Sequence, residues 1–108
     1  MKLNQKQISK VLNSLREDLS INYTGNTKRK KIAEMSLDFC GEWVNSIGVF
    51  YDDKEKSKKE CLKYVAYRFK EENKSGSLLI SFLVPIMIKF ISQWIINKLI
   101  DNLYNQDE

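Results

Sequence analysis

The chain has 108 residues, with 18 Lys and Arg against 14 Asp and Glu, no His, two Cys, one Pro and four Gly. That length holds one domain with a modest core, and 43% hydrophobic with 30% charged residues is neither a disordered nor a wholly membrane-embedded composition. Without His there is no Ser–His or Cys–His pairing, no imidazole base and no His-containing metal set. Two cysteines, Cys40 and Cys61, are too few for a disulfide framework or a thiolate zinc site.

The first predicted element is a helix over residues 5–21. Asn4 is its candidate N-cap with Gln7 three residues on, and Leu3 and Ile8 are placed as a hydrophobic staple. Ile8, Val11, Leu12, Leu15 and Leu19 then repeat at the spacing of one buried stripe. The turn formers Asn22-Tyr23-Thr24-Gly25-Asn26 end it. A second helix is expected from Thr27, with Ile32, Met35, Phe39, Trp43 and Ile47 inward and Ala33, Cys40 and Val44 beside them. Gly41 interrupts it at a cost of about 1 kcal/mol in propensity, marking a close approach or a kink, and Gly48 is a natural stop.

Asp52 and Asp53 are candidate caps of a third helix, with Glu55 at capping-box distance from Asp52. Its expected buried stripe is Leu62, Val65, Ala66 and Phe69, with Cys61, Tyr64 and Tyr67 at the margins. Residues 71–77, Glu-Glu-Asn-Lys-Ser-Gly-Ser, read as a linker. No strand pattern, internal repeat or low-complexity tract competes.

The last segment, residues 78–105, is expected to be a long and very apolar helix. Twelve of the 19 residues from Leu78 to Ile96 are Leu, Ile, Val or Phe, and as a helix they extend about 28 Å, close to the thickness of a hydrocarbon core. Lys89 near the middle costs about 3 kcal/mol for insertion, which leaves a lone span marginal. Polar residues recur every four positions at Ser81, Pro85, Lys89, Gln93 and Asn97, a stripe on one face. Pro85 signals a helix that bends or starts late. The apolar positions Leu79, Phe82, Leu83, Ile86, Met87, Phe90, Ile91, Trp94, Ile95, Leu99 and Leu103 form the expected interaction surface. A helix apolar nearly all round is surrounded by protein or by lipid, and three short helices are not expected to cover it.

Catalytic chemistry has no foothold in the sequence. The acidic pairs Asp52-Asp53, Glu71-Glu72 and Asp107-Glu108 sit at helix ends or at the terminus, where capping and solvation account for them. Neither a P-loop nor a dinucleotide fingerprint, a Cys-x-x-Cys or a nucleophile elbow occurs, so no catalytic, metal or cofactor site is assigned. Cys40 and Cys61 lie on or beside apolar stripes, the pattern of buried reduced thiols. The cations cluster at Lys28, Arg29, Lys30 and Lys31 and again at Lys54, Lys56, Lys58 and Lys59. Up to Gly76 the net charge is +5 and beyond it −1. Such a patch suits a solvated face, non-specific nucleic acid or an anionic surface, whereas three Arg and no organising motif argue against base-specific readout.

The expected architecture is all-α. A three-helix amphipathic bundle (1–74) and a linker (75–77) precede the apolar helix (78–105). The expected role is a non-enzymatic assembly protein, docking on copies of itself or a larger partner through that helix. A small bacteriophage virion component suits the size and the Lys-, Ile- and Asn-rich composition. Residues 1–21 carry charges throughout and read as no secretory signal, so cytoplasmic synthesis followed by particle association is expected. The alternative is a tail-anchored single-span membrane protein, holin-like or a membrane-tethered adaptor, with its basic domain in the cytoplasm, and a third reading is a non-specific nucleic-acid-binding module.

Overall fold

The computed structural model describes residues 5–22, 27–47, 53–74 and 84–105. The described elements are α1 (Gln5–Asn22), α2 (Thr27–Glu42), α3 (Lys54–Lys74) and α4 (Val84–Asn105), with a π-helical turn, Trp43–Ile47, continuing α2. The fold is all-α, with no strand among the described residues.

Local sequence accounts for the elements well. In α1 the predicted stripe is the observed one: Ile8, Val11, Leu15 and Leu19 are buried and Leu12 packs half-buried beside them. At the start of α3, Asp53 rather than Asp52 is the cap seen among the described residues. Its Oδ1 accepts the backbone N–H groups of Glu55 at 2.9 Å and Lys56 at 3.4 Å, and its carbonyl accepts Ser57 N–H at 3.2 Å. Two otherwise unpaired N-terminal donors are thereby satisfied. Pro85 stands in the first turn of described α4, where its missing N–H costs nothing. Asn4, Leu3, Gly48, Asp52 and the 75–77 linker lie outside the described residues.

The buried face of α3 is the expected one at Val65 and Phe69 but not at Leu62 and Ala66. Ser57, Cys61, Val65 and Phe69 point inward, Leu62 is half-buried, and Ala66 is exposed. The sequence stripe followed apolar identity, but two polar residues belong to the inner side because they have partners there. Ser57 Oγ hydrogen-bonds Tyr104 Oη at 2.5 Å, and Arg68 pairs with Glu42. For groups of this kind the partner offsets the cost of leaving water that would otherwise turn them outward.

Residue pairings set the helix directions. Gly41 lies beside Leu12, and Arg16 meets Asp38 at 3.2 Å, so α1 and α2 run antiparallel. Lys54 and Lys58 meet Asp101 while Leu62 lies near Gln93 and Ile96, so α3 and α4 also run antiparallel. The largest interface joins α2 and α4, and α1 and α3 flank that pair with no sizeable contact to each other. Both central helices are therefore buried on several sides. Along α2 and the π-helical turn that continues it, Ile32, Ala33, Ser36, Leu37, Phe39, Cys40, Trp43 and Val44 are all enclosed.

The fourth helix shares this core. Ile91, Ile95, Ile96, Leu99, Ile100 and Leu103 pack against the other three helices. Three helices do cover the apolar side chains of its last three turns, contrary to the expectation from their length, while Asn97, Lys98 and Asn102 stay exposed. In α4 Ser92 is also buried, and its hydroxyl meets Ser36 of α2 at 3.0 Å. Between α2 and α3, Phe39 and Phe69 stack edge to face, centroids 5.0 Å apart. Nearby, Cys40 and Cys61 are fully buried free thiols. The Cys61 side chain, and then burial, push the Cys40 thiol well above its ordinary range, so it stays protonated.

Two stability measurements follow from this packing. Ser36→Ala leaves the buried Ser92 hydroxyl without its partner and should lower unfolding free energy by about 1–2 kcal/mol, whereas adding Ser92→Ala should cost less than the two single changes together. A denaturant double-mutant cycle reads this. Among the described residues an added Cβ at Gly41 meets only Leu12, at 3.6 and 3.9 Å, which is ordinary contact. Gly41→Ala should therefore raise stability by about 0.5–1 kcal/mol in the same assay.

Candidate functional site

The surface that the fold leaves unpartnered lies at the beginning of α4. Ile86 and Phe90, one turn apart, are 54% and 64% exposed. Ile21 and Tyr67 are the other large apolar side chains this exposed among the described residues, and they stand on α1 and α3. Single exposed apolar residues are ordinary, while an i, i+4 pair on one face forms a patch. Shallow grooves flank this ridge. Toward α2, Arg29, Ile86, Met87, Phe90, Ile91 and Trp94 line one of about 380 Å³. Toward α3, Leu62, Ala66, Pro85, Ile88, Lys89 and Ser92 line another of about 320 Å³. The described lining of each groove holds one cation and no acid. Lys98 lies over the Trp94 ring at 5.6 Å, a cation–π contact at the edge of the first groove.

The positions singled out in the last helix divide by depth. Ile91, Ile95, Leu99 and Leu103 belong to the chain's own core, Met87 and Trp94 are half-buried against it, and Ile86 and Phe90 face outward. Leu79, Phe82, Leu83 and Ser81 lie outside the described residues. Lys89 and Asn97 are exposed and Gln93 half-buried, so this part of the polar stripe marks the outer edge of α4. The polar residue turned inward is Ser92, one position off the stripe. Among the described residues no helix is long and apolar enough to cross a membrane, and residues 78–83 of the expected apolar stretch lie outside them. From Ile91 onward the apolar side chains of α4 are occupied by the bundle.

The two basic clusters separate. Arg29, with Lys28 and Lys31 exposed in the same turn and Lys30 half-buried, adjoins the Ile86–Trp94 stretch of α4. In the other cluster Lys54 and Lys58 meet Asp101 at 3.2 and 3.0 Å. Phe90 and Asp101 are eleven residues apart, about 16 Å along the helix. Lys58 is thus a tether between α3 and α4, with its side chain only 16% exposed, while Lys56 and Lys59 remain exposed. Lys58, at hydrogen-bonding distance, lowers the Asp101 carboxyl most, burial opposes it, and Lys54 adds to the lowering. Asp101 in turn raises Lys58.

A second polar joint, which the sequence reading did not find, fastens α2 to α3. Glu42 Oε1 accepts Tyr64 Oη–H and Arg68 Nε–H, both at 2.9 Å. Arg68 also meets Glu72 at 3.4 Å and lies over the Phe39 ring at 4.8 Å. Its guanidinium holds the Glu42 carboxyl below the ordinary value, against the effect of burial and with help from Tyr64. Burial, and then Glu42, push the Tyr64 hydroxyl up, so it remains a donor at neutral pH. No spacing rule links residues 42, 64 and 68, since two helices must first be placed side by side. Among the described residues, no group of three or more His, Cys, Asp or Glu side chains is arranged to hold a metal ion.

Compared with known proteins, the chain matches no family model, no curated protein and no solved structure.

The two lowered carboxyls make stability depend on acid. A carboxyl that is lowered in the folded state stabilises fully above its unfolded value and loses that contribution as pH falls through the folded one. Unfolding free energy should therefore hold near neutrality and decline from roughly pH 4 downward. Glu42→Gln with Asp101→Asn should give a less stable protein at pH 7 whose acid decline is visibly shallower, measured by denaturant titration across pH.

Proposed function

We propose that this chain is a non-enzymatic assembly protein that docks into a larger protein complex through the first turns of α4. The observation that carries this reading is the adjacent exposed pair Ile86 and Phe90, placed on a helix whose remaining apolar length is buried at home. A contiguous apolar face flanked by grooves is what a protein interface requires at its centre. The carboxyls support the same reading. General acid–base work at neutral pH asks for a carboxyl raised toward 7, whereas Glu42 and Asp101 are lowered and tied to cations that join helices. A structural subunit of a phage particle is one setting for such a protein. A continuous nucleic-acid surface is less well supported, because Lys54 and Lys58 are engaged with Asp101 at the far end of α4 from Arg29.

Phe90→Asp with Ile86→Asp tests the reading. Both positions are exposed, so thermal unfolding should shift little, as for most surface changes. In extracts of source cells, size-exclusion chromatography should place the native chain in a species well above its 12.7 kDa monomer mass and the double variant at monomer size. Monomer elution of both proteins overturns the proposal.

A further inference from the structure

We draw no further inference here: the strongest candidate, the exposed Ile86–Phe90 ridge between its two grooves at the start of α4, carries nothing beyond the docking role proposed above, because nothing in the structure shows what covers it.

Discussion

The packing of α4 against α2 is the constraint on which the rest of the bundle depends. Ile91, Ile95, Ile96, Leu99, Ile100 and Leu103 present aliphatic surface on more than one side of α4, and burying each is worth about 1.5–3 kcal/mol. No single neighbour covers such a helix. The burial is completed because α2 is itself apolar or small on several faces, so that α1 and α3 can each touch both central helices. The buried Ser36–Ser92 hydrogen bond lies within this central contact. A buried polar pair is satisfied only in one relative setting of its two helices, which gives an otherwise aliphatic interface a preferred register.

Polar joints hold α3 near both of its ends. At its start, Lys54 and Lys58 meet Asp101, and Ser57 meets Tyr104. Further along, Tyr64 and Arg68 converge on Glu42. The two sets engage different helices, α4 and α2, and the buried residues Cys61, Val65 and Phe69 share the inner side of α3 with them. Ion pairs this exposed contribute little apiece, and their main effect is orientational. They select which face of α3 turns inward, including Ser57 and Arg68, which apolar patterning alone assigns to the outside.

The functional reading follows from what that arrangement leaves uncovered. Only the beginning of α4 combines adjacent exposed apolar side chains with flanking grooves among the described residues. The basic run of α2 is brought to that place by the contact between α2 and α4. Its cations and the apolar ridge are more than fifty residues apart in the chain, yet they meet along one groove through Arg29.

What the sequence determined by itself is local. The helical period and the cap at Asp53 follow from interactions within a few residues, and the buried stripe of α1 is legible from its own spacing. The lack of His excluded imidazole chemistry, whereas the exposure of Lys89 and Asn97 was not read from the sequence. Tertiary structure decided what covers each apolar face. Ile95, Leu99 and Leu103 read as a surface awaiting a partner, because a hydrophobic pattern records that a residue is to be buried and not by what. The same limit hid the Glu42–Arg68 joint and the Arg29 groove, since both arise between helices distant in sequence. It also rotated the inner face of α3, where hydrogen-bond partners on other helices made Ser57 and Arg68 inward residues.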